Sequence, residues 1–317
     1  MLNTKQVQQL TPIRRGTWAY VRKRLLESWQ WYLLLLPALI YTIVFHYVPM
    51  YGVLMAFQKY RPSKGVIGSE WIGFDNFIRF FKYPYFTKMI RNTLSITLLS
   101  LSTFPCSIIF ALLLNEVTQM KFKKVAQMIT YMPHFLSEVV VCSLIILMLD
   151  LSSGPINNLI DALGGQRQYF MGEPSAFAPI YVFSGLWQNL GWGAILYLSA
   201  LSGVSSEQIE AARIDGANRL QIMWHINLPA IMPTIMITLL MRLGRIMSLG
   251  YTKILLLEND LVADVSNVIS TYVYKIGILG GQYSYSAAIG LFNNVINILL
   301  LLLFNQLSKK LTDVGLF

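Results

Sequence analysis

Six apolar runs, each long enough to cross a lipid bilayer, constrain this chain more than any other feature. They lie roughly at Trp31–Phe57, Asn92–Asn115, Val125–Leu151, Ala176–Val204, Ala230–Leu257 and Tyr285–Leu307. About 20 predominantly apolar residues of helix span a membrane once. The expected fold is therefore an all-α polytopic membrane protein with six transmembrane helices. Composition agrees: of 317 residues 55% are hydrophobic and only 13% charged, with a mean hydropathy of +0.53. Soluble domains carry about 25% charged residues.

The net charge of +10 raises the question of nucleic acid, but the basic residues sit mainly beside the apolar runs. Lipid headgroups and the preference for positive charge on the inner side explain the excess, so no nucleic-acid partner is expected. Arg14, Arg15, Arg22, Lys23 and Arg24 precede the first span and place the segment 1–30 in the cytoplasm. The basic stretch is long and the apolar run after it is a full span, unlike a cleavable signal peptide. Six spans return both termini to that side (N-in/C-in), and residues 31–317 form one transmembrane domain. More than half of the 25 Lys and Arg then lie inside; the Gln58–Arg91 loop dissents. The basic connection Lys121–Lys124 is expected to be a turn. Cys106 and Cys142 lie within apolar runs and read as small buried hydrophobes. His46, His134 and His225 have no second ligand at metal spacing, so no metal site is expected.

Between the fourth and fifth runs lies the longest amphipathic connection, Ser205–Pro229. Ser205 and Gln208 have capping-box spacing, so a helix is expected to start there. Gly216 is a natural stop, and Asn218 with Gln221 suggests a second start. A helix, a Gly-centred turn and a second helix, with small residues on the surface, suit a part that docks into another protein.

The same loop resembles the cytoplasmic signature of bacterial ABC importer permeases, E-A-A-x-x-x-G followed by nine residues and I-x-L-P. Here Glu210-Ala211-Ala212 leads to Gly216, and Ile226-Asn227-Leu228-Pro229 follows at the full spacing. Asn92-Thr93-Leu94, Met132-Pro133-His134-Phe135, Gly191-Trp192-Gly193, Thr271-Tyr272-Val273-Tyr274 and Gly315-Leu316-Phe317 resemble the oligosaccharide branch of that family. The resemblance implies a permease subunit, not an enzyme, in the bacterial cytoplasmic membrane. It implies a heterodimer with a second permease, a cytoplasmic ATPase dimer and an extracytoplasmic solute-binding protein. A coupling helix between spans 4 and 5 would follow the ATPase and drive alternating access. Glu210, Ala211, Ala212, Asp215, Gly216, Ala217, Leu228 and Pro229 are its candidate coupling residues. The chain holds no G-x-x-x-x-G-K-S/T phosphate loop, so ATP and Mg belong to the partner ATPase and no cofactor is expected here.

Charges within spans are costly and mark candidate pathways. Arg242, Arg245 and Lys253 lie in the fifth run; at 100° per residue 242 and 253 differ by about 20° and 245 lies about 60° away. One shared basic face would suit hydroxyls or carboxylates of an acidic sugar. Equally, an arginine could pair with a carboxylate such as Glu138 while Lys253 reaches the outer interface. Trp187, Gln188, Asn189, Trp192 and Tyr197 in the fourth run, and Asn293, Asn294 and Asn297 in the sixth, combine stacking surfaces with amides, as sugar binding requires. Interhelical bonding and aromatic belts are the alternative roles. A secondary transporter driven by an ion gradient is the competing class, but its inverted repeat and midplane carboxylates are not evident.

Overall fold

The structure, a computed structural model, describes residues 27–312 and 314–317. The basic cluster Arg14–Arg24 lies outside them. The chain divides into two units, Met1–Leu54 and Met55–Phe317. In the first, α1 (Trp29–Thr42) continues through a π turn at Ile43–Tyr47. None of its residues is buried, so its apolar surface needs lipid or a partner to cover it.

The second unit opens with a two-stranded antiparallel hairpin, β1 (Gln58–Lys59) against β2 (Glu70–Trp71), and α2 (Asp75–Phe81). The long helices follow. α3 (Phe86–Ser102) and α4 (Phe104–Asn115) make one apolar run jointed at Thr103, where Pro105 removes an amide donor. α5 (Met120–Tyr131) and α6 (Glu138–Met148) come next, then α7 (Pro174–Leu201). The amphipathic connection forms α8 (Ser206–Ile214) and α9 (Arg219–Ile222). α10 (Leu228–Leu243), the short α11 (Tyr251–Leu257) and α12 (Ile269–Tyr274), and the 30-residue α13 (Tyr283–Thr312) complete the unit.

Several expectations from the sequence need correction. Among the described residues, four helical runs are long and apolar enough to cross a membrane: Trp29–Phe57, Phe86–Asn115, Arg219–Leu243 and Tyr283–Lys310. A fifth is gained if the bent pair Met120–Phe135 and Glu138–Met148 counts as one span. The expected third span is therefore not straight. It turns by 103°, because Pro133 breaks the ladder, Leu136 is extended and Ser137 starts a new helix by accepting from the Val140 amide at 3.3 Å. The supposed turn holding Lys121, Lys123 and Lys124 is the first part of α5. The expected fourth span is the 28-residue α7, about 42 Å long at 1.5 Å per residue. Its amides, glycines and tryptophans keep it below the apolarity of the other four.

The expected fifth span differs most. Its helix begins early, at Arg219, and stops at Leu243, not Leu257. Asn297 on α13 accepts from the Met247 amide at 3.0 Å and donates to Ser248 Oγ at 2.8 Å. These bonds satisfy backbone and side-chain groups released where the helix ends. The segment beyond folds back and is pinned by α3. Asn92 Nδ2 donates to the carbonyls of Asp264 (2.9 Å) and Asn267 (3.1 Å), Thr93 Oγ1 accepts from the Ile269 amide (3.2 Å), and Lys88 pairs with Asp264 at 2.6 Å. The Asn92-Thr93 motif is thus a clamp on the segment that carries α11.

Three apolar clusters hold the unit together. One joins Met89 of α3 to Leu243 and Ile289, and another joins Ile96 to Cys142, Val182 and Ile254. The third packs Ile108, Ala111 and Leu112 of α4 against Ala194 and Tyr197 of α7 and Ile231 and Ile235 of α10.

Candidate functional site

The second cluster carries a polar cavity of about 360 Å³ on its flank. α3 and α4 contribute Ser100, Thr103 and Ser107, spaced so that they share a helical face. α6 contributes Glu138 from its first turn, and α7 contributes Tyr181, Gly185, Gln188 and Asn189. Arg242 enters from the end of α10 and Lys253 from α11. The two cations are therefore not on one helix, as the 100° periodicity implied. The chain breaks between them, and the fold-back of the segment after Leu243 brings them to one wall. Arg245 lies in the break and lines a second cavity of about 340 Å³, with Thr97, Ser248 and, shared with the first, Ser100 and Arg242.

Each cation of the first cavity is held by neutral oxygen. Arg242 Nη2 donates to the Ser100 carbonyl (2.6 Å) and hydroxyl (3.0 Å), and its guanidinium lies 5.9 Å from the Phe104 ring. Lys253 Nζ donates to the Tyr181 carbonyl at 3.0 Å and lies 5.1 Å from that ring. Lys253 is 6% exposed, so it does not reach out to an interface. Among the described residues no carboxylate forms an ion pair with Arg242, Arg245 or Lys253; Glu138 shares the cavity without closing on either cation. Their remaining hydrogen-bond donors are available to hydroxyls and carboxylates of a ligand.

The other sequence candidates divide sharply. Gln188 and Asn189 line the cavity but also brace the α5–α6 bend: Gln188 Nε2 donates to the Leu136 carbonyl (3.0 Å), and Asn189 Oδ1 is 2.9 Å from His134 Nδ1. Trp192 stacks on His134 with ring centres 4.3 Å apart, and Phe135 meets its edge. The motif Met132–Phe135 is thus a bend seated on α7. Trp187 and Trp192 are about half exposed and do not line the cavity. Tyr197 is buried and bonds Thr238 Oγ1 at 2.9 Å. Asn297 and, more weakly, Asn293 bond Ser248 at the end of α10. Ser100, Thr103 and Ser107 were missed by the sequence reading; their three- and four-residue spacing within an apolar run was the available signal.

The amphipathic connection lies at the other end of α10. Asn218 and Gln221 form the expected capping box at 3.0 and 2.8 Å, but Ser205 makes no side-chain cap bond. Gly216 has φ +84°, and the Ala217 amide donates to the Ala212 carbonyl at 2.9 Å. This closes α8 in the left-handed conformation that glycine tolerates. Glu210, Ala211 and Asp215 are exposed, and Ala212, Asp215, Gly216 and Ala217 line a shallow hollow of about 300 Å³. Leu228 and Pro229 start α10. Ile214, Leu220 and Trp224 are each more than 60% exposed, so this end presents an apolar-studded surface.

Comparison with known proteins bears on both features. The chain is 44% identical over 309 residues to Protein LplB of Bacillus subtilis (strain 168), covering 97% of this chain and 96% of that one. It is 42% identical to the polygalacturonan/rhamnogalacturonan transport system permease protein YteP of the same organism, covering 93% and 94%. Among solved structures it is similar to a chain of a bacterial ABC transporter involved in the import of the acidic polysaccharide alginate. There the TM-score is 0.85 and the identity 38%, with 92% of this chain and 99% of that one covered. Residues 103–313 match the family described as binding-protein-dependent transport system inner membrane component. The chain belongs to that family and is a multi-pass ABC transporter permease of the bacterial inner membrane.

Proposed function

We propose that this permease imports oligosaccharides containing uronic acids, driven by ATP hydrolysed in a separate subunit. The observation that carries the reading is the wall of the paired cavities: Arg242, Arg245 and Lys253 face them, against the single carboxylate of Glu138. An excess of positive charge lining a cavity without fixed counter-ions, with Lys253 itself buried, favours anionic ligands. Relatives named for polygalacturonan and alginate import support the same substrate class. In this reading the segments cross the membrane six times with both termini inside. The chain pairs with a second permease, receives sugar from a solute-binding protein and couples through α8 to an ATPase dimer, which uses ATP and Mg.

The test is ATPase activity of the whole transporter in proteoliposomes, with binding protein and a panel of neutral and uronic oligosaccharides. Uronic oligosaccharides are expected to stimulate hydrolysis; stimulation by neutral sugars alone would overturn the acidic assignment. Uptake that persists without ATP and stops when an ion gradient collapses would overturn the energy source. For the loop, Gly216→Pro and Glu210→Arg are expected to abolish co-purification of the ATPase. Proline cannot adopt the positive φ at 216, and Glu210→Arg reverses the charge on the exposed face of α8. Normal assembly with sugar-stimulated hydrolysis in both variants would remove α8 from the mechanism.

A further inference from the structure

Asn227 lies at the last position of a π turn, Met223–Asn227, that joins α9 to α10. Despite following an exposed loop, it is 1% exposed. Its Nδ2 donates to Glu116 Oε1 at 3.3 Å, while its Oδ1 is buried without a partner. Glu116 stands at the end of α4, its amide donating to the Leu112 carbonyl at 3.3 Å. Among the described residues, the other side-chain hydrogen bonds of 205–227 stay within that segment. The Asn227–Glu116 bond is the polar link from the docking loop to another helix.

The rest of the α4–α10 contact makes that link consequential. Between the two helices, Ile108, Ala111 and Leu112 pack with Ile231 and Ile235. At the far end of α10, Arg242 bonds Ser100, and both residues line both cavities. The α3–α4 run and α10 are thus fastened at the loop end by Asn227–Glu116, along their length by apolar packing, and at the cavity by Arg242–Ser100. A displacement of α8 carried into α10 reaches α4 through the first fastening. π turns carry one extra residue per turn and occur often at functional sites. Here the turn places a polar amide in a buried position with half its bonding capacity unused, an exception that calls for a role.

We propose that Glu116 and Asn227 form the joint that transmits movement of the docking helix Ser206–Ile214 to the cavity wall Ser100–Ser107. Glu116 is then a positioning residue for coupled transport. The inference rests on the ATP-driven reading above, because it concerns how that motion reaches the cavity.

The experiment compares Glu116→Ala, Glu116→Gln and Asn227→Leu in the complete transporter in proteoliposomes, reading ATPase co-purification, sugar-stimulated hydrolysis and sugar moved per ATP. Glutamine keeps the accepting oxygen, alanine removes it, and leucine fills the Asn227 site without a donor. Glu116→Ala and Asn227→Leu are expected to assemble and hydrolyse ATP but to move about tenfold less sugar per ATP, a fall typical of a lost coupling between linked sites. Glu116→Gln is expected to transport normally. Unchanged sugar per ATP in Glu116→Ala overturns the joint, as does Glu116→Gln failing equally, which would assign the effect to charge. Failure of Glu116→Ala to assemble, beside a fully coupled Asn227→Leu, overturns it in favour of a folding role. If the wild-type transporter does not hydrolyse ATP in response to sugar, the energetic reading itself fails, an outcome distinct from each of these.

Discussion

Lys253→Glu is expected to lower uptake of uronic oligosaccharides by about 100-fold or more, equivalent to roughly 3 kcal/mol. The ammonium is 6% exposed and donates to the Tyr181 carbonyl. A carboxylate in its place would face that carbonyl oxygen and share the cavity with Glu138. Burying an unpaired carboxylate beside acceptor oxygens is costly, so both the site and its ligand preference are affected. Lys253→Met keeps most of the side-chain length and removes only the charge, and should fall between wild type and Lys253→Glu. Initial uptake rates in proteoliposomes, with assembly checked by co-purification, give the comparison. Equal uptake of uronic sugars by wild type and Lys253→Glu would show that the ligand passes elsewhere.

The second large effect falls on the motif Gly191-Trp192-Gly193. A Cβ at Gly191 would lie 2.6 Å from the Thr130 carbonyl carbon and 2.8 Å from its Cβ. The obstacle is mainly backbone of α5, which cannot rotate aside, so α7 and α5 must separate. Forcing an extra methyl into a packed contact of this kind costs about 1–3 kcal/mol. Separation also loosens the seat of the α5–α6 bend, where His134 stacks on Trp192 and Leu136 is held by Gln188. Gly191→Ala is expected to lower the Tm of the detergent-solubilised subunit by several degrees, and Gly191→Leu to prevent its accumulation. Gly193→Ala is the control: its nearest neighbour is Ser107 Oγ at 2.8 Å, the tip of a side chain that can turn away. Equal losses in the two alanine variants would refute the backbone-contact account.

The physical origin of these effects also shows how far the residues were readable in order. Apolar runs, the signature Glu210–Gly216 and the Asn218–Gln221 capping box are local patterns. Their causes act within one helical turn or one span, so periodicity and spacing expose them. Membrane character and the amphipathic helix–turn–helix connection followed from those patterns alone. Helix breaks were less legible. Pro133 lay unread inside the expected third span, and the end of α10 at Leu243 depends on Asn297, fifty residues away from the Met247 amide it accepts from. No local pattern marks that position, and a continuous helix to Leu257 was the natural expectation.

The cavity depends on the same distant contacts. Arg242 and Lys253 were visible as unusual charges in an apolar run, but their shared wall was inferred from a helix that does not exist there. They meet because Asn297 and Ser248 stabilise the break, and Asn92, Thr93 and Lys88 pin the segment beyond it. Gln188 and Asn189 acquired a bracing role that composition could not show, and Ser100, Thr103 and Ser107 became wall residues only once α4 packed on α7. The sequence by itself determined that this chain lives in a membrane and carries an amphipathic helix–turn–helix connection, because hydropathy and helix signals are local. Only the tertiary structure decided where its cations converge, because that rests on hydrogen bonds between residues far apart in the chain.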